Sequence, residues 1–228
     1  MAPAPRVVVH RDARAASESA AHEIAALLRA AVAQRGTANV AFSGGGSARP
    51  MLQALAREDV PWNRVHVYQV DERVAPDGDP SRNATELYSE LLDEVSIPAA
   101  NVHLLPVTAI DLDDAAASFG ARLPRIDVMH MGMGEDGHTA SWPPGDPVVD
   151  VRHQPITVVG PFNGHLRMTV TPGVAARAHD IVFLVFGSPK RAPLARMLAG
   201  DPDIPASHVP PERTVVHVDR AAWDGAGG

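Results

Sequence analysis

Short β-branched runs alternate along this chain with stretches of helical apolar spacing, and that alternation limits the fold more than any single motif. Arg6–His10, Ala38–Phe42, Val65–Val70, Ile126–Met131, Ile181–Phe186 and Thr214–Asp219 read as strands. Ala13–Gln34 carries Ile24, Leu27, Leu28 and Val32 at helical intervals and stops at Gly36. Further helices are predicted from Ser47 to about Ala56, and over about Asn83–Val95, Asp113–Leu123, Gly173–Ala178 and Ala192–Leu198. Strands alternating with helices specify an α/β fold: a doubly wound, largely parallel sheet with helices on both faces. The 228 residues suit one domain spanning 1–228, with ends frayed over 1–5 and 224–228.

In a parallel sheet every strand ends on the same edge, and ligands bind in the crevice there. Four unusual segments each follow a predicted strand directly: Ser43–Ser47, Asp71–Arg73, Gly132–His138 and Gly187–Lys190. They are expected to converge, and the site is expected where they meet.

The first segment, Ser43-Gly44-Gly45-Gly46-Ser47, lies between a strand and a helix. Glycines admit an anion close to backbone N–H groups, and the helix N-terminus adds positive potential. No Gly-Lys-Ser/Thr follows, so it is not a Walker A loop. A tight turn selected for packing is the plainer alternative. Asp71-Glu72-Arg73 sets three charges at a strand end, which a solvated turn with local ion pairing would also explain.

Gly132-Met133-Gly134-Glu135-Asp136-Gly137 spells the GxGxxG of dinucleotide folds. That reading needs a helix at once, whereas His138-Thr139-Ala140-Ser141-Trp142-Pro143-Pro144-Gly145 cannot extend one far. The loop instead carries Asp136 and His138. A histidine can take a proton from water and return it to a leaving oxygen, and a nearby carboxylate can orient it. A histidine that merely pins the turn is the alternative. Arg167 and Lys190 are the later candidates for phosphate: a bidentate fork and a point charge.

Composition narrows the function classes. Cysteine is absent, so disulfides, thiolate metal sites and thiol nucleophiles are excluded. The chain holds 11 histidines but no His-Glu-x-x-His, and they show no ligand spacing, so no metal is expected. Net charge is −7 with no Lys/Arg run, which speaks against nucleic acid. No apolar run approaches the roughly 20 residues of a membrane span, and no secretory leader is visible. A cytoplasmic protein acting on a small anion is expected, as a monomer.

On these residues the sequence resembles the 6-phosphogluconolactonase family. Gly132–Ser141 (GMGEDGHTAS) follows its Gly-hydrophobic-Gly-x-Asp-Gly-His-Thr-Ala-Ser signature. Phe42–Leu55 is similar to its Ser-Gly-Gly loop and helix, and Trp62–Arg73 to its strand ending in Asp-Glu-Arg. Leu166–Pro172 resembles its Arg-(Ile/Met)-Thr-x-Thr-x-Pro segment, and Gly187–Lys190 its Gly-x-x-Lys. The resemblance implies the fold shared with glucosamine-6-phosphate deaminases and sugar-phosphate isomerases, no cofactor, and hydrolysis of 6-phosphoglucono-δ-lactone to 6-phosphogluconate. It implies His138 as the general base that activates water and Asp136 as its support. Phosphate would be held by Ser43, Gly44, Gly45, Arg167 and Lys190, with Arg73 close to the substrate. The chain departs from the family at Gly46-Ser47-Ala48 (usually Ser-Thr-Pro), at Arg82 (often Ser) and at Trp142-Pro143 (commonly Leu-Phe). The last pair is expected in the pocket wall.

Two rival readings follow. Amino-sugar phosphate deaminases place a carboxylate five residues after the histidine, where this chain has Pro143. A non-catalytic sugar-phosphate-sensing module would carry a helix-turn-helix or a basic face, and neither is seen.

Overall fold

The computed structural model describes residues 4–224. Strand β1 is Arg6–His10, as expected, and helix α1 runs from Ala13 to Arg35. Asp12 caps α1 by accepting from the Ala15 N–H at 2.8 Å. Gly36, at φ 80°, ends it in the left-handed conformation and returns its N–H to Val32 O. The buried residues Ala16, Ala20, Ile24 and Leu28 recur every fourth position and form one face against the sheet.

Strand β2 (Ala38–Phe42) leads into α2 (Ala48–Leu55). Strand β3 covers Val65–Gln69, and β4 is a new element over Asp71–Arg73. Where one strand running into a charged turn was expected, the chain leaves the main sheet at Val70. The Val70 N–H donates to Phe42 O at 2.9 Å, while its carbonyl accepts from Val170 N at 2.8 Å. Helix α3 (Asn83–Leu87) does not run on to Val95 in one piece. Tyr88–Leu92 widens into a π turn, closed by Asp93 N–H on Tyr88 O at 3.0 Å.

Strand β5 is the pair Val102–His103, α4 covers Leu112–Gly120, and β6 covers Val128–Gly132. Strands β7 (Ile156–Phe162) and β8 (His165–Val170) form a hairpin that the sequence reading omitted. Helix α5 is Pro172–Ala175, β9 Asp180–Val185, α6 Arg191–Leu198, β10 Thr214–Asp219 and α7 Arg220–Trp223. Of the expected frayed ends, residues 1–3 and 225–228 lie outside the described residues; Ala4 and Pro5 belong to no element.

The main sheet has seven parallel strands in the order β1-β10-β9-β6-β2-β3-β5. Its inner strands are largely buried on both faces, and β9 accordingly reads as an unbroken apolar run from Ile181 to Val185. Along β9, Ile181, Phe183 and Val185 enter one core while Val182 and Leu184 enter the other. Helices α1 and α2 close the second core. A smaller antiparallel sheet, β4-β8-β7, packs into the first. It supplies a side wall to the edge where the parallel strands end. No helix among the described residues is long and apolar enough to cross a membrane.

Candidate active site

The loop after β6 is shaped by what its glycines make room for. The Asp136 and His138 side chains fold back over Gly134, where a Cβ would stand 2.0 Å from His138 Nδ1 and 2.6 Å from Asp136 Oδ1. Gly137 takes φ 85°, and a Cβ there would meet Ile204 Cδ1 at 2.7 Å. The turn closes through Gly134 N–H on His138 O (2.8 Å) and Thr139 Oγ1 on Gly132 O (2.8 Å). These bonds are why a GxGxxG here builds no helix.

Asp136 Oδ1 contacts His138 Nδ1 at 2.5 Å and the His138 N–H at 3.1 Å. Partial burial pushes the Asp136 carboxyl up, but the bonds from the His138 main chain and ring outweigh it and hold the group below the usual carboxylate range. An ionised carboxylate only accepts, so Nδ1 is the protonated nitrogen and Nε2 is the basic one. Phe162, at the tip of the β7–β8 hairpin, presents a ring perpendicular to the imidazole at 4.9 Å between centroids.

The Ser43–Ser47 segment leaves β2 beside this loop. Gly45 stands at φ 100°, and Ala48 N–H turns back to Gly45 O at 2.9 Å. Gly44 lies so close to Asn83 that a Cβ would stand 2.0 Å from its Oδ1. Ser43 Oγ and Asn83 Oδ1 are buried without a protein partner among the described residues, and both residues line the cleft. Buried polar atoms are ordinarily paired, so these two are suited to a ligand.

Asp71-Glu72-Arg73 is not a solvated turn. Glu72 is fully buried and accepts at 2.8 Å from Gln69 Nε2 and from the N–H groups of Arg73, Asn83 and Ala84. The buried Arg82 guanidinium pairs with it at 3.0 Å and also donates to Ala75 O. The departure at Arg82 is thus a structural brace beneath the site. Asp71 accepts from Ser141 Oγ at 2.7 Å and from Asn83 Nδ2 at 3.2 Å, and pairs with Arg167 at 3.5 Å. One carboxylate therefore ties β4, α3, β8 and the histidine loop together. Arg73 donates to Ser81 O and lines the cleft. Burial lowers the Arg167 guanidinium from its ordinary value, with Asp71 opposing. Its Nε donates to Phe162 O at 3.1 Å, and its cation lies 5.2 Å from the centre of that ring. Lys190 ends a short turn after Gly187, 4.0 Å from the exposed Glu135.

Ser43, Gly44, Gly45, Arg73, His138, Arg167 and Lys190 all line one cleft of ≈510 Å³ at the carboxyl edge of the main sheet. Asp136 does not line it: it stands behind His138 and faces a separate cleft with Asp146, Asp150 and Asp203. The sequence reading passed over Asp71, Asn83, Ser141 and Phe162. Asp71 and Ser141 lie inside motifs already singled out, so their positions were legible though their partners were not. Trp142, expected in the pocket wall, is instead fully buried in the core and donates Nε1–H to Val170 O at 2.7 Å. Its indole supports the floor of the small sheet. Among the described residues no group of three or more His, Asp or Glu is placed to hold a metal ion.

The fold and cleft define an α/β protein with cationic groups and a histidine–carboxylate pair converging where parallel strands end. Residues 11–218 match the family model described as glucosamine-6-phosphate isomerases/6-phosphogluconolactonase, and the chain belongs to that family. A 6-phosphogluconolactonase of Synechocystis sp. is 34% identical over 227 residues, covering 93% of this chain and 94% of that protein. The crystal structure of 6-phosphogluconolactonase from Thermotoga maritima superposes with a TM-score of 0.86 at 24% identity, over 95% of this chain and all of that one. A monomeric glucosamine-6-phosphate deaminase superposes at 0.83 with 17% identity, over 95% of this chain and 98% of that one. Likeness to the two solved structures, at 24% and 17% identity, shows the fold alone.

Proposed function

We propose that this chain is a 6-phosphogluconolactonase that hydrolyses 6-phosphoglucono-δ-lactone to 6-phosphogluconate, the second step of the oxidative pentose phosphate pathway. The observation that carries the reading is the Asp136–His138 pair at 2.5 Å, with His138 on the same cleft as Arg73, Arg167 and Lys190. Asp136 occupies Nδ1, so Nε2 takes a proton from water as the hydroxyl oxygen bonds to the lactone carbonyl carbon. Backbone N–H groups of the glycine loops stabilise the oxyanion. As it collapses, the bond from that carbon to the ring oxygen breaks, and protonated Nε2 gives its proton to the departing oxygen. A lactone is an activated ester held in a ring, so one base and good positioning suffice. Ser43, Gly44, Gly45, Arg167 and Lys190 bind the phosphate, and Arg73 lies beside the sugar. Asp136 supports the base from outside the cleft. The whole of 1–228 acts as one domain on this reading.

Pro143 stands where the deaminases carry an acid, and Asp71 is engaged by Ser141, Asn83 and Arg167. The missing acid at Pro143 favours hydrolysis over deamination. The test is turnover of freshly generated 6-phosphogluconolactone, corrected for spontaneous hydrolysis. His138→Ala and His138→Asn are expected to lower kcat by roughly 10²–10⁴-fold while remaining folded. Near-normal turnover in either variant, or ammonia release from glucosamine 6-phosphate by the native chain, overturns the assignment.

A further inference from the structure

Phe162 belongs to none of the motifs that define the cleft, yet it touches two of the groups that matter there. Its ring meets the His138 imidazole edge-on at 4.9 Å and 83°, while the Arg167 guanidinium lies 5.2 Å from its centre. The backbone is built to put it there. The β7–β8 register shifts between Val159 and Phe162, and Gly160, at φ 110°, has Phe162 N only 2.6 Å from where a Cβ would stand. Irregularities of this kind re-aim a side chain beside a site. Only glycine fits the turn that delivers this ring.

We propose that Phe162 is a positioning residue, holding the His138 ring on Asp136; this rests on the lactonase reading of the site. Two contacts fix an imidazole. The Asp136 bond constrains one nitrogen but leaves the ring free to swing about it, and the Phe162 edge removes that freedom. A perpendicular aromatic pair is a favoured arrangement, so the contact orients the ring as well as filling space. The same phenyl group also contacts the Arg167 guanidinium, so it touches two groups that are both cationic once His138 accepts a proton. Arg167 keeps its bonds to Phe162 O and Asp71 whatever the side chain at 162, so phosphate binding is separable from base orientation.

The experiment compares Phe162→Ala and Phe162→Tyr with the native chain, in kinetics and in ¹⁵N spectra of the histidine rings. Phe162→Ala is expected to lower kcat about 10-fold, since small misplacements of a reacting group cost up to about 10²-fold, and to shift KM by less than about threefold. Phe162→Tyr is expected to restore kcat. In the spectra, the His138 Nδ1–H held on Asp136 is expected to exchange slowly with water in the native chain, and Phe162→Ala is expected to speed that exchange as the ring gains freedom to swing. An unchanged His138 exchange rate in Phe162→Ala overturns the proposal, as does an equal fall in both variants. If the native chain leaves the lactone untouched while the spectra respond as expected, the lactonase reading fails and the positioning role stands.

Discussion

A methyl group on Gly134 would sit 2.0 Å from His138 Nδ1 and 2.6 Å from Asp136 Oδ1, and both atoms belong to side chains that can move. Gly134→Ala should therefore fold and yet displace the pair on which the proposed chemistry depends. The expected outcome is a loss of kcat approaching that of His138→Ala with an unchanged unfolding midpoint; parallel losses of activity and stability would show a backbone effect instead. Gly44 has the same relation to Asn83 Oδ1 at 2.0 Å. In both cases the residue is glycine because a side chain that lines the cleft occupies the volume of its missing Cβ. That reason is invisible in sequence, where the same glycines suggest a turn or a dinucleotide fingerprint.

Strand β6 carries the histidine loop, and it also carries His130, fully buried with neither ring nitrogen paired to protein among the described residues. Burial lowers this imidazole from 6.5 to about 4, the Ser43 main chain opposing only in part. The native state holds it neutral, while the unfolded chain takes up a proton near pH 6.5. Stability therefore rises with pH between about 4 and 6.5 and is lost on acidification through that window. His130→Leu should flatten this slope, removing about 3 kcal/mol of acid destabilisation by pH 4 in denaturant unfolding followed across that range. An unaltered slope would place the acid sensitivity elsewhere. Regular elements such as α1 and β10 were legible because their periodicity and caps agree with their burial. The β7–β8 hairpin was not, since Gly160, Pro161, His165 and Arg167 break the alternation a strand normally shows. The π turn at Tyr88–Leu92 escaped for the opposite reason: its side chains are ordinary helix formers.

For the molecule as a whole, a net charge of −7 surrounds a cleft that gathers Arg73, Arg167 and Lys190, so the local field opposes the global one. A phosphorylated ligand bound there stabilises the fold by about 2.7 kcal/mol at one hundred times its Kd, equivalent to a Tm rise on the order of 5–10 °C for a chain of this size. 6-Phosphogluconate is expected to produce that rise, and Lys190→Ala to shrink it without lowering the ligand-free Tm; equal rises in both proteins would place the phosphate away from Lys190. The sequence by itself determined the parallel sheet, the edge where its loops meet and most of the groups that line the cleft. Chain direction forces every strand-end loop to one side, so motif position was enough. Only the tertiary structure decided that Asp136 stands outside the cleft, that Trp142 is core, that Asp71 ties four segments together and that Phe162 reaches His138. The last three relations run through the antiparallel β4-β8-β7 sheet and join residues far apart in the chain, and no local periodicity encodes such pairings.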